Sequence, residues 1–152
     1  MKSIIQTVNL TRKFGDFVAN NNISLDIKEG EIRCIVGENG AGKSTLMNML
    51  YGLLTPSSGQ ILIRGQEVKM NSPLTAIAVG IGMVHQHFKL VSSLTVYENI
   101  LLGVEIKKKN SLLIDRKEEI KKVAKMIEDN HLQLNSTDKI EDISIGERQR
   151  VE

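Results

Sequence analysis

Residues Gly37-Glu38-Asn39-Gly40-Ala41-Gly42-Lys43-Ser44 fit the pattern Gly-x-x-x-x-Gly-Lys-Ser/Thr at every fixed position, and no other stretch limits the fold as much. The glycines let the backbone wrap closely around a phosphate with its N–H groups pointing inward. Lys43 is placed to reach the β- and γ-phosphates, and Ser44 to ligate Mg²⁺. A helix beginning near Lys43 adds a positive N-terminal half-charge and unpaired amides, both of which favour an anion. A loop of this kind needs a strand before it and a helix after it. Glu31-Ile32-Arg33-Cys34-Ile35-Val36 reads as a short, buried strand. Leu46, Met49, Leu50 and Leu53 recur at i, i+3, i+4 and i+7, an apolar helical stripe that Thr55-Pro56 ends. The residues alone therefore predict a P-loop candidate at a strand-to-helix turn. The bland alternative is a glycine-rich turn that binds nothing.

Composition narrows the class. A chain of 152 residues is long enough for one domain, with 41% apolar and 25% charged residues, ordinary for a globular protein. A net charge of +2 is too small to argue for a nucleic-acid partner. No apolar run approaches a membrane span, and Lys2 is followed by no apolar export segment, so the expected location is the cytoplasm. Cys34, among apolar neighbours, reads as an inert buried thiol.

In chain order, Ser3 to Leu10 reads as a strand, and residues 11–16 as a polar turn carrying an aromatic, Phe14. On the residues alone, Phe14 is an edge-of-core side chain. Asn20-Asn21-Asn22 reads as a turn-rich link into a second strand, Ile23 to Ile27. Gln60 to Arg64 is a strand after the turn at Pro56 to Gly59, and with Gly65-Gln66 it suggests a small antiparallel side sheet. Ser72-Pro73 opens a short helix through Ala78, and Ile81 to His85 reads as a buried strand leading into Gln86. Beyond Phe88 the pattern turns helical. Val96 to Leu102 is a brief helix ended by Gly103, and residues 107–110 form a solvated loop. Asp115 to Asn130 is an amphipathic helix burying Ile120, Val123, Ala124 and Ile127. A polar link, residues 135–142, leads to Ser144 and Glu147, whose spacing is that of a helix-opening capping box. His85 and His87 flank Gln86 at alternate positions, without the Cys or carboxylate neighbours of a metal site.

Phe14, the P-loop, Gln86 after a strand, and Ser144-Ile145-Gly146-Glu147 after a helical insert stand in an order that resembles the ATP-binding domain of an ABC transporter. The resemblance covers essentially the whole chain. Residues 82–88 and 93–100 are similar to the ATPases of simple-sugar and nucleoside importers. The implied fold is α/β: a P-loop NTPase of ABC type, with a small antiparallel β subdomain and a helical subdomain. The implied division is an ATPase core over 1–87, a helical subdomain over 88–145, and the start of the signature helix over 146–152.

The resemblance also implies roles. Phe14 stacks on adenine, and Gly37, Glu38, Asn39, Gly40, Ala41, Gly42, Lys43, Ser44 and Thr45 hold the nucleotide. Lys43 and Gln86 are catalytic, and Ser44 and Gln86 lie at Mg²⁺. Ser144, Ile145, Gly146 and Glu147 form the signature motif, acting in trans on the γ-phosphate held by an opposite domain. That motif commonly reads Leu-Ser-Gly-Gly-Gln; here Ile143 stands for Leu, Ile145 for the first Gly and Glu147 for Gln. Such domains continue past the signature helix to a strand carrying a Mg²⁺-supporting aspartate and a catalytic glutamate, then a switch histidine. The chain stops at Glu152, so the reading is of a C-terminally truncated domain, weakly active or inactive alone.

The cofactors implied are ATP and Mg²⁺. The partners implied are transmembrane permease subunits, a second ABC domain and, indirectly, a solute-binding protein, with the whole peripheral on the inner face of the membrane. The activity implied is ATP-powered import of a sugar or nucleoside. The alternatives are a non-catalytic nucleotide-binding remnant, a soluble ABC ATPase without a transport partner, and a kinase sharing only the P-loop.

Overall fold

The longest ladder joins β1 (Ser3–Phe14) to β2 (Phe17–Lys28), antiparallel from Ser3 opposite Lys28 to Phe14 opposite Phe17. The expected turn over residues 11–16 shrinks to Gly15-Asp16, because the strand continues to Phe14. The expected Asn20 to Asn22 link is likewise part of a continuous strand. Threonine hydroxyls make this possible. Where the register slips near Leu10, Thr7 Oγ1 accepts from Leu25 N at 2.9 Å and donates to the Ile23 carbonyl at 3.0 Å, while Thr11 Oγ1 accepts from Asn22 N at 2.9 Å. Asn9 and Asn22 take left-handed conformations there, with φ of 48° and 52°, which asparagine tolerates better than most residues. The side chains therefore satisfy backbone groups that an irregular ladder would leave unpaired.

The computed structural model describes residues 1–85, 89–108, 111 and 113–152. The chain divides into two units, Met1–Met83 and Val84–Glu152. In the first, β3 (Ser58–Ile63) pairs antiparallel with β1, and β4 (Gln66–Glu67) pairs with β3, giving the order β2-β1-β3-β4. The helix α1 (Lys43–Leu50) buries Leu46, Met49 and Leu50 in a core with Leu10, Ile61, Ile63, Met70 and Ala76. It stops before Thr55-Pro56, and Leu53 lies outside it, half exposed. Gly52 takes a left-handed φ of 78°, its N–H donates to the Met49 carbonyl, and Leu53 N donates to the Asn48 carbonyl at 2.9 Å. Those two bonds close the last turn as a Schellman motif. A Cβ at residue 52 would lie 2.4 Å from the Ser72 carbonyl oxygen, so only glycine fits. The helix α2 (Pro73–Ala78) is capped by Ser72, as its sequence predicts.

Two expected strands are absent. Residues 31–36 and 81–85 carry no strand assignment, and no strand of the described residues pairs with either. Ile32 and Val36 are 94% and 93% exposed, and Cys34 is exposed rather than buried. Apolar, β-branched sequence is not sufficient for a strand, because a ladder needs a neighbour with free N–H and C=O groups.

In the second unit, α3 (Val96–Ile100) ends two residues before the expected Leu102, and α4 spans Arg116–Asp129. Val96, Tyr97, Leu101, Val123, Ile127, Ile140, Ile143 and Val151 form its core. Ala124, expected on the buried face of α4, is exposed; the buried stripe is Glu119, Val123 and Ile127. Buried Glu119 accepts from Ile106 N at 3.0 Å through Oε1, which satisfies the carboxylate and fixes the preceding loop. The segment read as a polar link is woven in. Val96 N donates to the Asp138 carbonyl, Tyr97 N to that of Ser136, and Ile140 N to that of Leu94. The chain then enters α5 (Ile145–Val151).

Candidate functional site

The loop from Gly37 to Gly42 crosses from the solvent-exposed segment 31–36 to the first turn of α1. Its shape depends on two glycines. Gly40 and Gly42 have φ of 85° and 84°, a region that a Cβ disfavours. Gly42 is doubly constrained, because a Cβ there would lie 2.3 Å from the Ala19 carbonyl oxygen. At Gly37, by contrast, a Cβ would meet Ala41 Cβ at an ordinary 3.4 Å. Ala41 N donates to the Glu38 carbonyl at 3.2 Å and tightens the turn around Asn39.

The Lys43 ammonium closes over this loop, donating to the Gly37 carbonyl at 2.6 Å and the Glu38 carbonyl at 2.7 Å. Two neutral acceptors hold the cation at the mouth of the loop without neutralising it. Gly42 is the N-cap of α1 and supplies no side-chain acceptor, and the first turn has no acidic residue. In α2, α3, α4 and α5, by contrast, a side chain accepts from a first-turn amide. Ser44 is exposed and Thr45 partly buried at the uncapped end. Cation, first-turn amides without a side-chain cap and an exposed hydroxyl stand together at one end of α1, chemically fit for a polyphosphate.

Phe14 lies at the tip of the β1–β2 hairpin and is 44% exposed, so its ring is available to a flat ligand. The Arg12 guanidinium carbon stands 4.6 Å from the ring centre, a cation–π distance. Arg12 Nη1 donates to the Thr55 carbonyl at 2.6 Å. Sequence reasoning missed Arg12, and it read Asn20 as part of a turn. Asn20 is buried and donates from Nδ2 to the Gly42 carbonyl at 3.2 Å. The asparagine run was the visible signal, but nothing local distinguishes a turn asparagine from one that supports a loop 22 positions away.

Gln86, together with His87, Phe88, Lys109 and Asn110, lies outside the described residues. Among the described residues no group of three His, Cys, Asp or Glu side chains gathers as a metal site. The Ser44 hydroxyl is an oxygen donor of the kind a hard cation such as Mg²⁺ takes beside phosphate oxygens and waters.

In the second unit Ser144, Ile145, Gly146 and Glu147 form the opening of α5. Glu147 N donates to Ser144 Oγ at 3.3 Å and Ser144 N to Glu147 Oε2 at 2.7 Å, a reciprocal capping box. The bonds from the Ser144 hydroxyl and backbone hold the Glu147 carboxyl below its usual range. Ile145 is exposed and Gly146 has open space around it. Glu147 thus caps the start of α5 as a carboxylate.

Loop, helix and flanking sheet define a P-loop nucleotide-binding module. A family model described as ABC transporter matches residues 20–152, and the chain belongs to that family. It is 49% identical over 152 residues to the guanosine import ATP-binding protein NupO of Bacillus subtilis (strain 168), covering 100% of this chain and 29% of that protein. It is 48% identical over 151 residues to the nucleoside import ATP-binding protein NupA of Lactococcus lactis subsp. cremoris (strain MG1363), covering 99% of this chain and 29% of the relative. Among solved structures, the ADP conformation of an ATP-binding cassette of an ABC transporter superposes with a TM-score of 0.81 at 26% identity, over 99% of this chain and 63% of that one. The chain thus spans under a third of the length of the curated relatives it matches. The fold class expected from the sequence, an ABC-type ATPase core, is the one found.

Proposed function

We propose that the chain binds MgATP at the loop Gly37 to Thr45 and that the protein carrying it uses ATP hydrolysis to drive import of a small polar solute, a nucleoside or simple sugar. The observation that carries this reading is the Lys43 ammonium, held by two backbone carbonyls over an uncapped helix end within the ABC family. On binding, Lys43 exchanges neutral carbonyls for anionic phosphate oxygens, which adds direct attraction between opposite charges to the ammonium's hydrogen bonds. The amides of α1 point along the same line, and Ser44 gives one oxygen to Mg²⁺. The metal supplies charge neutralisation across the β- and γ-phosphates. The exposed ring of Phe14 takes the adenine, an aromatic stack contributing about 0.5–1.5 kcal/mol beyond burial.

Gln86 acts as the residue that senses the nucleotide and the transport partner. Residues 144–147 face the γ-phosphate of an opposing ABC domain, supplied in tandem or by a second copy. Permease subunits at the membrane's inner face, fed by a solute-binding protein, complete the machine. The nucleoside reading is favoured over other solutes by the names of the two relatives above.

The test is calorimetric titration of the full chain with MgATP, followed by phosphate release in the same samples. Binding with micromolar or tighter affinity supports the site. Absence of binding in a chain with native far-UV dichroism would exclude it.

A further inference from the structure

We infer that Arg12 and Asn20, opposite each other on the β1–β2 ladder, are a positioning pair that sets the spacing between the adenine platform and the phosphate loop. The inference rests on the nucleotide-site reading above and adds two residues to it.

Asn20 is 6% exposed, and its Nδ2 donates to the Gly42 carbonyl at 3.2 Å. That carbonyl also accepts from Leu46 N at 2.9 Å, so one oxygen ties β2, the loop and the first turn of α1. Turning the amide round would set oxygen against oxygen, which assigns Nδ2 to this place. The close approach of Gly42 to the Ala19 carbonyl shows that the loop rests directly on the β2 backbone. Asn20 is the side chain that registers it there.

Arg12 performs the matching task at the other end. Its Nη1 is tied to the Thr55 carbonyl, and its guanidinium lies 4.6 Å from the centre of the Phe14 ring. One ring face is thereby occupied and oriented, and the other is left to a base. Cross-strand partners are side-chain neighbours, so the anchor of the ring and the anchor of the loop share one rung of the ladder. Each also keeps a buried polar atom with no hydrogen-bond partner among the described residues, Nε of Arg12 and Oδ1 of Asn20. Buried groups of this kind are rare, and here a donor and an acceptor fall on the same rung.

Two probes separate the two ends: MgATP, and magnesium tripolyphosphate, which has no base. Both are titrated into the full chain and into Asn20→Leu and Arg12→Met variants at about 0.15 M ionic strength, where the screening length is about 8 Å. Asn20→Leu is expected to weaken both probes by the same factor, roughly 2- to 12-fold, the range of one net hydrogen bond. Arg12→Met is expected to weaken MgATP by a similar factor and to leave tripolyphosphate unchanged. Amide exchange at Gly42 and Leu46 should quicken in Asn20→Leu only.

A merely structural role would lower the thermal midpoint and weaken both probes alike in both variants, and that pattern overturns the pair. Unchanged tripolyphosphate affinity in Asn20→Leu overturns it as well. If Asn20→Leu does not fold, Asn20→Ser, too short to reach Gly42, carries the same expectation. A parent chain that binds neither probe overturns the nucleotide-site reading and the pair with it. Binding of both probes with no response in either variant overturns the pair alone.

Discussion

Lys43 carries the positive charge of the loop, and its two carbonyl partners are exchangeable. Replacing it by alanine removes a cation that would bond directly to phosphate. Lys43→Ala is expected to lower MgATP affinity by about 10- to 150-fold, the range for a hydrogen bond to a charged group. Calorimetric titration of the variant checks this, and unchanged affinity would sink the site assignment. The phosphate loop was legible one residue at a time because its requirements are local. A left-handed φ at Gly40 and Gly42 and a lysine at the helix start follow from eight consecutive residues. Phe14 was legible as an exposed aromatic near a turn, but its stack under Arg12 was not. Asn20 was illegible in its role because the bond it makes spans 22 positions.

At the scale of elements, the helix ends were the best-read features. Ser72 before α2, Asp115 before α4 and Ser144 before α5 accept the first-turn bonds that their residue types predict, and the structure adds Thr95 before α3. Two of these ends are capping boxes closed by a glutamate. Glu98 and Glu147 each accept from the backbone and hydroxyl of their N-cap residue, which holds both carboxyls below the ordinary glutamate value of about 4.3. A group depressed in the folded state stabilises at pH above its unfolded value and loses that contribution as pH falls through its folded value. The helical signal and thermal midpoint should therefore be flat from pH 7 to about 5 and decline below about 4. Glutamine caps without titrating, so a Glu98→Gln, Glu147→Gln variant should show a shallower acid decline. The remainder comes from Asp26, Glu31 and Glu105, which are depressed as well. Identical acid limbs in parent and variant, recorded by circular dichroism against pH, would refute the coupling.

The whole molecule is two units with separate cores, and its weakest feature is the segment before the P-loop. Ile32 and Val36 stand almost fully in water with no strand beside them. Exposed apolar, β-prone sequence favours self-association and adds nothing to folding. The 152-residue chain is accordingly expected to unfold at or below about 60 °C, within the range of about 45–65 °C for mesophile domains. It should also associate at high concentration, less so once Ile32→Lys and Val36→Lys are introduced. A cooperative calorimetric transition above about 60 °C, or sedimentation unaffected by the two lysines, would contradict this.

By itself the sequence determined whatever depends on neighbours within a few positions: the phosphate loop, the side-chain helix caps, the amphipathic faces, and the family to which their order belongs. Tertiary structure decided what depends on partners far along the chain. It turned the asparagine run into a continuous strand by offering the hydroxyls of Thr7 and Thr11 to its backbone. It left residues 31–36 and 81–85 outside any strand ladder of the described residues. It also brought Asn20 against Gly42 and Arg12 over Phe14. The difference is physical: φ preferences and capping bonds are satisfied within one turn of backbone, whereas a strand edge or a buried amide is satisfied only by a group that folding brings to it.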